Sequence, residues 1–177
     1  QPSISESDQN RKFNDWTVLI DLTRDGWLAL ARSSPQLARD RADEWSRGPY
    51  PVFRRLALFA ATQSTVVPPG QALQWLLADD GWWLWAIDTQ REALRFIAMV
   101  GKLISEADQS QLELAILEGP PLKMFRADLE ADDLQATRER VIWLRLEKCQ
   151  TAGLRLGALA SARLTELRAL HPNWRLA

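Results

Sequence analysis

Apolar residues recur along this chain at three- and four-residue intervals. Between Pro51 and Gln63 the set Val52, Phe53, Leu56, Phe59 and Ala60 keeps one face of a helix, with Arg54 and Arg55 thrown to the other. No apolar–polar alternation of five or more residues occurs, and no Asn-Gly or Asp-Gly turn sits between two apolar runs as a hairpin would require. Punctuation divides the periodic stretches. Ser34-Pro35 reads as an N-cap followed by proline at the first helical position, and Thr89 with Glu92 as a capping box. Asp108 with Gln111 and Asp132 with Gln135 are looser versions of that device. Gly48-Pro49, Pro68-Pro69-Gly70, Gly119-Pro120-Pro121 and Gly153 mark ends. The pattern predicts helices over 13–32, 35–46, 51–63, 70–78, 81–87, 90–104, 109–118, 133–151 and 155–170.

Eight or nine short helices with brief connections and no sheet leave an irregular globule or stacked helical pairs. An internal offset favours the stack. Trp45, Arg54, Phe59 and Ala61 recur 37 residues later as Trp82, Arg91, Phe96 and Ala98, near the period of HEAT and armadillo repeats. The expected fold is therefore an all-α, irregular α/α superhelix. Residues 1–10, polar and serine-bearing, read as a flexible tail or linker, and residues 11–177 as one helical domain. Because the chain starts with Gln1 and not Met, it is expected to be a piece of a longer polypeptide.

Composition agrees with helices: 28 Leu and 23 Ala stand against 13 Val and Ile together. The net charge of −1 rules out a strongly basic or acidic molecule, but the charges are unevenly spread. Residues 105–134 hold 2 basic and 8 acidic groups, and residues 135–177 hold 8 and 3. Arg138, Arg145, Lys148 and Arg155, joined by Arg163 and Arg168, read as a possible basic stripe able to neutralise phosphates, with Glu139, Glu147 and Glu166 interrupting it. A lone Cys149 and the lack of a long apolar run point to the cytoplasm and away from a membrane.

Catalytic chemistry finds little to stand on. His171 is the only histidine and Cys149 the only thiol, so neither has a companion of its own kind, and a pairing between them would have to cross 22 residues. Asp43-Glu44, Asp79-Asp80 and Asp132-Asp133 are neighbours in sequence, which on a helix point in different directions. No glycine-rich phosphate loop is present. No catalytic, cofactor-binding or metal residue is assigned, and the chain is not expected to be an enzyme. Trp75, Trp82, Trp83 and Trp85 crowd into eleven positions; Trp82 and Trp85 share a helix face, leaving Trp83 as the candidate exposed anchor for a partner.

Trp45-Ser-Arg-Gly-Pro-Tyr-Pro-Val-Phe-Arg-Arg-Leu-Ala-Leu-Phe59, Trp82-Trp-Leu-Trp85, Arg91-Glu92, Leu117-Glu-Gly-Pro-Pro121 and His171-Pro-Asn-Trp174 together resemble a bacterial helical domain. It is similar to those that follow a SIR2-like NAD-hydrolysing module in large proteins associated with phage defence. The resemblance implies an accessory role: sensing a partner, holding an assembly together or restraining a neighbouring effector. The expected function is thus a non-catalytic interaction scaffold or regulatory domain whose candidate contacts are Trp83, Arg138, Arg145, Lys148 and Arg155. The alternative is a nucleic-acid-binding domain using the basic C-terminal face.

Overall fold

The computed structural model describes residues 3–6 and 17–176. Among them there is no strand, and eight α-helices follow one another: α1 (Thr17–Ser33), α2 (Pro35–Arg47), α3 (Pro51–Ala61), α4 (Pro69–Trp85), α5 (Gln90–Val100), α6 (Glu106–Glu118), α7 (Ala131–Thr151) and α8 (Ala158–Leu170). Short 3-10 turns at Gly101–Leu103 and Leu122–Met124 follow α5 and α6. Proline opens α2, α3 and α4, where its missing N–H has no intrahelical partner to lose.

Several expected starts form differently. At α6 the cap is Ser105, whose hydroxyl oxygen accepts from the Asp108 N–H at 3.1 Å. The Thr89–Glu92 box does not close. Thr89 Oγ1 donates instead to the Trp83 carbonyl at 2.7 Å, and Glu92 turns inward to Arg55. A buried arginine is a stronger claim on a carboxylate than the Thr89 backbone N–H, which donates to the Ala86 carbonyl at 3.1 Å instead. The last helix starts at Ala158, not 155, because Leu154 leaves the helical path to lie buried against Gly101, where a Cβ would stand 2.9 Å from Leu154 Cδ1.

The helices stack in two layers. α3, α5 and α7 lie side by side in one layer and α4, α6 and α8 in the other, with α3–α4, α4–α5, α6–α7 and α7–α8 packing between. α1 extends the first layer: Trp27 meets Phe59 of α3 edge-on, with ring centroids 6.4 Å apart, and donates to the Ala38 carbonyl of α2 at 2.8 Å. This is the repeat-like, all-helical packing that the periodicity predicts. The 37-residue offset has a physical counterpart, since positions 37 apart meet between α3 and α5 and between α4 and α6. Arg55 of α3 and Glu92 of α5, 37 apart, form an ion pair at 2.9 Å with both side chains buried. Gln74 of α4 and Gln111 of α6, also 37 apart, are bonded at 3.3 Å. α3 is buried from Arg55 through Ala61, as befits a helix covered on all sides.

Part of the expected N-terminal tail packs onto the helices. Ser3, Ile4 and Ser5 are buried, and the Ile4 carbonyl accepts from Arg24 Nη1 at 3.3 Å, which docks this stretch and does not leave it free. Residues 1, 2 and 7–10 of that segment lie outside the described residues. At the other end, residues 171–176 fold back on α7, where Trp174 packs on Trp143 with centroids 5.5 Å apart.

Candidate interaction surface

Trp83 sits just after a break in α4. Ala78 is extended (ψ 159°), and Asp79, Asp80 and Gly81 follow with φ of 57°, 59° and 74°. Three left-handed residues in a row, two of them carrying a Cβ, store backbone strain of order 1–3 kcal/mol per non-glycine position. Aspartate tolerates this region better than most residues because its short side chain bonds locally. Here the bonds are definite. Asp79 Oδ2 accepts from Trp83 Nε1 at 2.6 Å and from Arg54 Nη2 at 3.2 Å, while Asp80 pairs with Lys123 at 3.0 Å. The break also resolves the 70–78 and 81–87 segments expected from sequence, as two helical stretches separated by the left-handed turn.

Arg54 completes the arrangement from α3. Its guanidinium lies 4.6 Å from the Trp83 ring centroid, and its Nε donates to the Gly48 carbonyl at 3.2 Å. Burial pulls its pKa below the ordinary arginine value and the Asp79 charge pushes back. Trp83 is therefore half-buried and held at its N–H and at one face, where sequence reasoning expects a freely projecting indole. Around this cluster stand Tyr50, 65% exposed, Phe53, whose ring packs 6.3 Å from Tyr50, and Ile87, 89% exposed. Beside it a cleft of about 330 Å³ runs between α2 and α4, lined by Asp43, Ser46, Arg47, Arg54, Trp75 and Asp79. The arrangement can recognise a partner by aromatic contact and by fixed hydrogen-bonding groups.

The basic stripe does not assemble. Arg145, expected on the surface, is fully buried: Nε and Nη2 donate to the Leu84 carbonyl at 3.0 and 2.6 Å, Nη1 donates to Val141 at 3.1 Å, and the guanidinium lies 4.2 Å from the Trp85 centroid. Its position is dictated by register, for Ile142, Arg145, Leu146 and Cys149 form the buried face of α7. Burial brings its pKa down to about 9. Arg138 is half-buried and closes the end of α6 by donating to the Glu118 carbonyl at 2.7 Å and to that of Pro120. Arg163 pairs with Glu139 and Glu166, and Arg168 with Glu147. Of the four candidates only Lys148, half-exposed, and Arg155, exposed beside a cavity of about 400 Å³ with Lys102 and Glu113, keep a solvent-facing charge.

Two features escape sequence reasoning. Arg54 reads there only as lying opposite the apolar face and Asp79 as one of two adjacent acids; the signal was Asp79-Asp80-Gly81 in succession, three residues of types that accept positive φ. The second is a network at the C-terminus. His171 stacks on Trp174 (centroids 3.7 Å, planes 7° apart) and bonds Glu139 Oε2 through Nε2 at 2.9 Å, while Arg140 lies over both Trp143 and Trp174 at 4.7 and 4.9 Å. The His171 bond, with Gln135 and Arg163, holds the Glu139 carboxyl below its usual range. Cys149 is buried and its thiol is pushed up to about 12, chiefly by burial. Among the described residues no three His, Cys, Asp or Glu side chains gather as a metal ion would need, and no helix is long and apolar enough to cross a membrane. No family model, curated protein or solved structure matches the chain.

Proposed function

We propose that this chain is a non-catalytic helical interaction scaffold, the accessory domain of a larger bacterial protein, which presents the Trp83 edge to a protein partner or to a neighbouring domain. This reading agrees with the accessory role implied by the resemblance to domains beside SIR2-like modules in phage defence, and with a cytoplasmic setting for the lone Cys149. The observation that carries it is the Arg54–Asp79–Trp83 cluster, fixed by a left-handed turn next to the exposed Tyr50, Phe53 and Ile87. Local strain is an expense that a purely structural helix end could avoid by glycine, and it persists where function needs the geometry. Side chains already locked by their neighbours lose little entropy on binding, and Trp, Tyr and Arg are the residue types that dominate binding energy.

The nucleic-acid alternative has only Lys148 and Arg155 left of its four named contacts, too few charges for a steep salt dependence. The two readings separate in one experiment. Affinity capture from the host with wild type, Tyr50→Ala, Trp83→Ala and Lys148→Glu/Arg155→Glu, with nuclease-treated controls, should recover a protein that the aromatic variants lose and the charge variant keeps. Recovery of nucleic acid lost only in the charge variant would sink the scaffold reading.

A further inference from the structure

We propose that the cleft between α7, α8 and residues 171–176 is a binding site for a small organic anion, a carboxylate or phosphate monoester carried on an apolar body. The cleft has a volume of about 410 Å³, within the range of small-molecule sites. Its walls are of two kinds. Trp143, Trp174 and Leu176 supply apolar surface, and Glu147, Arg168 and Arg175 supply charge. The apolar wall is fixed before any ligand arrives. Trp143 is buried in α7, and Trp174 is held between its contact with Trp143 and the His171 ring stacked on it at 3.7 Å.

Charge and open hydrogen-bonding positions select the occupant. The one carboxylate of the cleft already has its partner: Glu147 accepts from Arg168 Nε at 3.0 Å and from Nη2 at 2.8 Å. Arg175 has none. Its Nη1 donates to the Pro172 and Trp174 carbonyls at 2.6 and 2.7 Å, while among the described residues its Nε and Nη2 have no acceptor and no carboxylate pairs with it. A guanidinium tied down by one nitrogen and open along the Nε–Nη2 edge presents a fork that a carboxylate or phosphate fills with two parallel hydrogen bonds. Charges just outside the cleft cancel, Arg140 and Arg163 against Glu139 and Glu166, so the charge left over is that of Arg175. A cationic ligand would find no open carboxylate there. The body of the ligand is alkyl or a single ring, because His171 covers a face of Trp174 and Arg140 lies over both tryptophans, which leaves ring edges and Leu176 as the contact and not a stacking platform. The cavity of about 400 Å³ beside Arg155 lacks this selectivity, since Lys102 and Arg155 there face Glu106 and Glu113.

Isothermal titration calorimetry with phenylacetate and phenyl phosphate tests the site, with inorganic phosphate and phenethylamine as controls. The expected result is one site per chain with a Kd of roughly 0.1–1 mM for both aromatic anions, at least ~10-fold weaker binding of inorganic phosphate, which lacks the body, and none of phenethylamine. Arg175→Met, at an exposed position where circular dichroism should show the fold unchanged, should weaken both anions at least ~10-fold, and Arg175→Lys should recover part of the loss. Lys102→Met/Arg155→Met, at the other cavity, should change nothing. Affinity that survives Arg175→Met, affinity lost in Lys102→Met/Arg155→Met, equal affinity for inorganic phosphate or phenethylamine, or no heat from either aromatic anion at roughly 10 mM would each overturn the inference. The cleft shares no residue with the Trp83 edge, so its failure leaves the proposed function standing.

Discussion

Trp83 and Trp85 stand two residues apart, and each has an arginine guanidinium over its ring, yet they belong to different worlds. Arg54 over Trp83 is partly buried and leans on an exposed carboxylate, Asp79. Arg145 over Trp85 is fully buried and is satisfied by the carbonyls of Leu84 and Val141. The contact is the same; its surroundings decide what it does. In the Trp83 pair the arginine is only partly desolvated and its carboxylate partner stays 57% exposed, so the geometry lies at the surface and can serve a partner. In the buried pair the arginine bridges α7 to the end of α4, and the carbonyls it covers have no water to turn to.

The comparison is broken most directly at Arg145. Arg145→Ala leaves a cavity and an unpaired Leu84 carbonyl and should cost about 3 kcal/mol or more in urea unfolding. Arg145→Met keeps the stem against Trp85 and removes the desolvated charge, so it should cost about 1–2 kcal/mol. Arg54→Ala, measured the same way, should cost about 1 kcal/mol or less. Equal losses at Arg54 and Arg145 would mean that burial does not separate them.

This contrast marks how far the chain could be read before its structure. Prolines 35, 51 and 69 and the breaks at Gly48 and Gly119 located helix ends, since proline and glycine act through their own backbone sterics and need no tertiary context. Leu- and Ala-rich periodicity located the faces. Charged residues misled. Arg145 falls on the apolar stripe of α7 between Ile142 and Leu146, and periodicity alone assigns it inward, but its charge argues outward. The Leu84 carbonyl, 61 residues away, makes the inward position tolerable together with that of Val141, and no local pattern announces it. Glu92 was equally legible as a cap until Arg55 of another helix claimed it. Trp83 was expected to project freely, and its half-buried hold by Asp79 depends on a left-handed turn that no local pattern fixes.

The left-handed turn offers the second test, of intermediate size. Asp79→Ala removes the acceptor shared by Trp83 and Arg54 and puts a residue without local bonds at φ 57°, so thermal unfolding should show a loss of about 1–2 kcal/mol. Asp80→Gly should instead gain about 0.5 kcal/mol, because glycine accepts φ 59° without a Cβ penalty and the exposed Lys123 pair contributes little. Opposite signs at adjacent positions would show that Asp79 is kept for its contacts. Losses at both would show that the turn depends on aspartate itself, and the exposed cluster would then resemble the buried one.

The smallest effect concerns the C-terminal segment and is read by pH. Glu139 has a folded pKa below its ordinary 4.5, the leading cause being its bond to His171. A carboxylate with a depressed folded value contributes stability that is fully present above the unfolded value and is lost as pH falls through the folded one. Above about 4.5 the Glu139–His171–Trp174 stack should hold, and between there and lower pH it should loosen. Intrinsic fluorescence reports it, because Trp174 leaves the face of Trp143 as the segment opens. Glu139→Gln removes the titrating carboxyl, so its fluorescence should stay flat across the interval in which the parent protein changes. A parent transition that survives Glu139→Gln unaltered would assign the acid sensitivity to other groups. The C-terminal network would then match the Arg145 site, fixed by packing and indifferent to charge.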